Sequence, residues 1–132
     1  MKADRVSALV PFVHVADVDR SIAFYRLLGF EVTDAHRPAD AYVWALLKAS
    51  GARIMLARAD APIDPDKQAV LFYLYTRDLH ALRAHLISSG VEAGRIESGS
   101  PGPEEEMRVT DPDGYCLMIV QIELDGVEAA SR

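Results

Sequence analysis

Hydrophobic positions along this chain alternate first with a period of two, then at helical spacing, then with a period of two again, and the whole succession occurs twice. In residues 9–15, Val10, Phe12 and His14 fall on one face and Leu9, Val13 and Val15 on the other, the alternation of a strand. Apolar groups on both sides predict a strand covered on both faces, and Pro11 predicts an edge position or an irregular start. Asp17 then stands as an N-cap before Val18, Ile22, Tyr25 and Leu28, a helical stripe that stops at Gly29. Residues 30–32 resume extended chain. A polar loop with His36, Pro38 and Asp40 follows, and residues 42–47 and 53–57 read as antiparallel strands joined by Ser50-Gly51.

A segment with Pro62 and Pro65, residues 59–68, reads as a linker, after which the pattern restarts. Residues 70–76 are a strand, Asp78 an N-cap, Leu79, Leu82 and Leu86 a helical stripe, and Gly90 its stop. Asp78 precedes Gly90 by the same interval that separates Asp17 from Gly29, and Glu92 follows Val91 as Glu31 follows Phe30. Near the end, Asp111-Pro112-Asp113-Gly114 has the residues of a type I turn, with proline second and glycine fourth, so the strands on either side must be antiparallel. The chain is therefore an α+β protein made of two βαβββ modules, residues 7–58 and 69–124. A single module leaves a concave sheet face uncovered, so two must combine, within the chain or across a dimer, to enclose a cavity. The breaker-rich segment 98–103 would form its rim, and the tail from Asp125 would fray.

Composition narrows the partners. A net charge of -6 argues against nucleic acid and anionic membranes, which demand clustered Lys and Arg. Cys116 is the only cysteine, which excludes an intrachain disulfide and a cysteine zinc cluster and suits a buried, reduced thiol. The first residues are too short and mixed an apolar run for a signal peptide or spanning helix. A cytoplasmic protein is expected.

The sequence Val15-Ala16-Asp17-Val18-Asp19-Arg20-Ser21-Ile22-Ala23-Phe24-Tyr25 with Leu28-Gly29-Phe30, together with Asp111-Pro112-Asp113-Gly114-Tyr115 before the last strand, resembles the vicinal oxygen chelate superfamily of glyoxalases, bleomycin-resistance proteins and extradiol dioxygenases. The resemblance runs from about Val10 to Gln121. It implies paired βαβββ modules, each curling into half of an open barrel, and a homodimer. It also implies where a metal enzyme of the group keeps its ligands, on the first and last strands of each module. Carried onto this chain, those positions are Val10, Met55, Leu71 and Met118, none of which offers the nitrogen or carboxylate donors of a divalent metal. No metal and no cofactor are expected.

Strand alternation adds Phe12, His14, Arg53, Tyr73, Tyr75 and Cys116 to the same lining, with Arg108 and Trp44 as further ligand contacts. Val10, Met55, Leu71 and Met118 are equally explained as core. Trp44 is either core or a flat surface for a ligand, and His14 is either a structural histidine or a general base with Tyr73 as partner. Glu104-Glu105-Glu106 beside a cavity would attract cations, whereas Arg53 and Arg108 would pair with a carboxylate. The implied function is metal-free small-molecule binding of the bleomycin-resistance type, with sequestration of an aromatic or cationic antibiotic. Two alternatives remain: a glyoxalase-like lyase or isomerase with a displaced metal or a metal-independent site at His14 and Tyr73, and a regulatory module without a ligand.

Overall fold

The computed structural model describes residues 5–98 and 104–122. Its chain divides into two compact units, Met1–Ile63 and Asp64–Arg132. The first holds strand β1 (Phe12–Val15), helix α1 (Val18–Arg26) and strands β2 (Glu31–His36), β3 (Trp44–Ala49) and β4 (Ala52–Arg58). The second repeats the order with β5 (Leu71–Thr76), α2 (Leu79–Ser88), β6 (Glu97–Ser98), β7 (Glu105–Thr110) and β8 (Cys116–Gln121). Each unit is a four-stranded sheet, β1-β4-β3-β2 and β5-β8-β7-β6, in which the first strand lies parallel to the last and the other pairs are antiparallel. This is the predicted α+β fold of two βαβββ modules.

The two helices begin and end by the same local chemistry. Asp17 accepts the Arg20 N–H at 3.2 Å and Asp78 the Ala81 N–H at 3.0 Å, each satisfying an orphan donor of the first turn. At the far ends Gly29 and Gly90 adopt positive φ, and the next N–H, of Phe30 or Val91, returns to the carbonyl of Tyr25 or Leu86, the Schellman closure. Val18, Ile22 and Tyr25 of α1, and Leu79 and Leu86 of α2, are fully buried. They cover one sheet face in each unit, α1 lying against β2, β3 and β4 and α2 against β8, where Leu47, Leu56, Leu117 and Ile119 are buried.

Several boundaries differ from the sequence reading. Leu9 and Val10 lie outside β1, which starts only at Phe12. Pro11 has no N–H to continue the ladder, although its carbonyl accepts the Met55 N–H at 2.8 Å. β1 is covered on one face, since Phe12 and His14 remain exposed. β2 is longer than expected and incorporates His36, and β3 begins at Trp44 instead of Tyr42. The expected linker contains a 3-10 turn, Pro65–Lys67, and Gln68 Nε2 donates to the Asp113 carbonyl at 3.1 Å. Ser98 pairs with Glu105 as the end of β6. The rest of the predicted rim, residues 99–103, and the tail from Asp125 lie outside the described residues.

The Asp111–Gly114 turn forms as predicted, with the Gly114 N–H bonded to the Asp111 carbonyl at 3.1 Å. Its centre is the Asp111 carboxylate, buried and accepting the N–H groups of Asp113 and Tyr115, both at 2.9 Å on Oδ1. Among the described residues no helix is long and apolar enough to cross a membrane.

Candidate functional site

Each helix covers one sheet face of its unit; the opposite face keeps exposed side chains such as Phe12, Tyr73 and Tyr75, with Met118 and Val120 buried among them. In the first unit, buried Ala45, Leu47, Ile54 and Leu56 alternate with less buried neighbours, so Leu46, Lys48, Arg53, Met55 and Ala57 point to the open side. Pairing across the strands sorts that side into rows. Phe12, Met55 and Leu46 form an apolar row that ends at Asp34; His14, Ala57, Trp44 and His36 form a second beside it; Arg53 and Lys48 stand directly opposite each other in a third that ends at Glu31. Phe12 and His14 meet edge to face with ring centroids 5.5 Å apart.

The second unit has the same layout with different chemistry. Tyr73, Met118 and Arg108 share one row, Leu71, Cys116 and Thr110 another, and Tyr75, Val120, Glu106 and Glu97 a third. Tyr73 is 44% exposed and Tyr75 65%, a large apolar surface to leave in water. At the outer edge of β7 the chain of residues 92–95 runs alongside Arg108. The Gly94 N–H donates to the Arg108 carbonyl at 2.9 Å, and Arg83 of α2 holds the Gly94 carbonyl from the other side at 2.9 Å. A cleft of about 290 Å³ opens there, lined by Arg95, Glu97, Glu106, Arg108 and Met118 among others, with a neighbouring recess of about 350 Å³ reaching Glu92 and Thr110. Arg95 and Glu97 neutralise each other at 3.3 Å.

A family model of the Glyoxalase/Bleomycin resistance protein/Dioxygenase superfamily matches residues 5–119. The chain belongs to that superfamily. Its fold is shared by a bleomycin-binding protein solved in complex with bleomycin, at 22% identity and a TM-score of 0.72, covering 89% of this chain and 100% of that one. It is shared also by an antibiotic-binding protein, TnmS3, from Streptomyces sp. CB03234 (22% identity, TM-score 0.68, 90% and 98% covered). A third likeness is the bleomycin-binding protein of bleomycin-producing Streptomyces verticillus, solved with copper(II)-bleomycin (20% identity, TM-score 0.68, 92% and 100% covered). No curated protein matches the chain in sequence.

The positions that the resemblance assigns to metal ligands carry Val10, Met55, Leu71 and Met118. Met55 and Met118 lie on the open faces of the last strands, Met118 in register with Tyr73 and Met55 with Phe12. Leu71 is one row away, opposite Cys116, and Val10 is outside the strand. Thioether, aromatic and aliphatic groups are poor donors for a divalent ion. Among the described residues no three or more His, Cys, Asp or Glu side chains are grouped to hold one.

The expected ligand contacts fall into two sets. Phe12, His14, Trp44, Arg53 and Met55 share the open face of the first unit, and Leu71, Tyr73, Tyr75, Arg108, Cys116 and Met118 that of the second. Sequence reasoning missed Lys48, because it ended the third strand at residue 47, and missed Leu46 and His36 as partners of Trp44's face. The signal was the simple alternation Trp44, Leu46, Lys48, legible once the strand's true extent is known.

Proposed function

We propose that this chain is a metal-free, homodimeric binding protein of the cytoplasm, sequestering an aromatic or cationic small molecule such as an antibiotic without transforming it. One observation carries the proposal: each module leaves aromatic side chains exposed on the sheet face away from its helix, Phe12 in the first and Tyr73 and Tyr75 in the second, beside the methionines Met55 and Met118 that stand where the resemblance puts metal ligands. Such a surface gains free energy by covering apolar area, about 25 cal/mol per Å², and asks for no nucleophile or acid. Fold relatives that bind bleomycin and other antibiotics support the choice of ligand. Glu106, on the open face of β7 beside the Arg95–Glu97 pair, suits a cationic group at the cleft.

Thermal unfolding of the chain with bleomycin or another aromatic cation tests this. At a hundredfold excess over Kd the ligand should add about 2.7 kcal/mol of stability, and titration should show recovery of unmodified ligand. Stoichiometric metal held by side chains in protein purified without chelator would overturn the metal-free reading. Ligand turnover abolished by His14→Ala would point to an enzyme.

A further inference from the structure

The first module's open face carries a charge pattern that an aromatic cation does not use. Lys48 and Arg53 occupy directly opposed positions on β3 and β4, both exposed, and like charges so placed repel. Neither side chain has an ion pair or hydrogen bond among the described residues. Two carboxylates stand at the outer ends of these rows: Glu31, in register with Lys48, pairs with Arg26 at 3.5 Å, and Asp34, in register with Leu46, accepts the Ala35 N–H on Oδ1 at 2.9 Å. One row along the strands lies the apolar strip Phe12, Met55 and Leu46, and the next row brings Trp44. Successive rows on one face are two residues apart, roughly 6.6 Å.

We propose that this face binds an organic anion, its aromatic or aliphatic body over Phe12, Met55 and Leu46 and its carboxylate between Lys48 and Arg53. The inference rests on the reading of the open faces as small-molecule sites and adds the chemical class that the first one selects. A carboxylate removes the Lys48–Arg53 repulsion and takes charge-assisted hydrogen bonds from both. The row spacing sets the length of the ligand, with the centre of its apolar group about four to five bonds from the acid.

Trp44, the only tryptophan of the chain, reports on this face. Titrating the full chain with 4-phenylbutyrate, 4-phenylbutyramide and 4-phenylbutylamine, followed by Trp44 emission, separates charge from shape. The acid should bind about tenfold more tightly than the amide, and the amine most weakly. In a K48Q/R53Q variant the acid should fall to the affinity of the amide, whose own affinity stays unchanged, while the melting temperature does not drop. Equal binding of acid and amide by the wild type, or an acid preference surviving in the variant, would overturn the anion assignment alone. If none of the three perturbs Trp44 or binds by calorimetry, the first face is not a small-molecule site and both readings of it fail.

Discussion

At the scale of single residues, the Asp111–Gly114 turn concentrates more constraint than any other stretch. Gly114 sits at φ 89°, and a Cβ there would overlap the Pro65 carbonyl oxygen and fall 2.6 Å from Pro65 Cα. Gly29 has nearly the same backbone angle, φ 95°, with nothing within 4 Å of such a Cβ. The pair separates two effects. Gly29→Ala should cost only the left-handed strain, about 1–2 kcal/mol, whereas Gly114→Ala adds overlap with backbone that cannot rotate away and should cost about 2–4 kcal/mol. Urea unfolding of both variants checks the order, and equal losses would show that the Pro65 segment simply moves aside. Asp111 extends the same logic to polar groups. Asp111→Ala strands two buried N–H groups and should cost about 2–4 kcal/mol, while Asp111→Asn, whose amide oxygen can take both bonds at the Oδ1 position, should lose much less.

At the scale of elements, the duplication rests on caps more than on stripes. Asp17 and Asp78 do equivalent work at the starts of α1 and α2, so Asp17→Ala and Asp78→Ala should each lower stability by about 1 kcal/mol, read as matched shifts in the denaturation midpoint. A much larger loss at one of them would reveal a role beyond capping. These caps, the two glycine stops and the final turn were legible in the sequence because each depends on a few adjacent residues. Strand limits were not. β3 runs from Trp44 to Ala49 because its pairing with β4 continues to the Ser50-Gly51 turn, where Ala49 faces Ala52, and propensity alone gives no reason to extend a strand through Lys48. That displacement of two residues hid Lys48 from the candidate site. The burial of Asp111 was hidden for a related reason, since a carboxylate before proline reads as an exposed turn residue until the N–H groups folded around it are seen.

At the scale of the whole molecule, the open faces decide what the fold is for. A chain that needed them only as core would bury Phe12, Leu71, Tyr73 and Tyr75, yet these are 51%, 43%, 44% and 65% exposed. Their apolar area contributes little to folding of the isolated chain, and it is available to a ligand or to the second copy of the proposed dimer. A Tyr73→Ser, Tyr75→Ser double variant should therefore unfold at close to the wild-type denaturant concentration when dilute, with a shift below about 1 kcal/mol. The proposed dimer predicts that the same variant sediments as a monomer at concentrations where the wild type sediments at twice the monomer mass, and that it loses most of its affinity for an aromatic ligand. A second copy that buried these rings would make wild-type stability rise with protein concentration, as mass action requires, and the double variant would lose that dependence. If instead the dilute variant unfolds several kcal/mol earlier and the wild type shows no concentration dependence, the tyrosines belong to the chain's own core and the open face is not a binding surface.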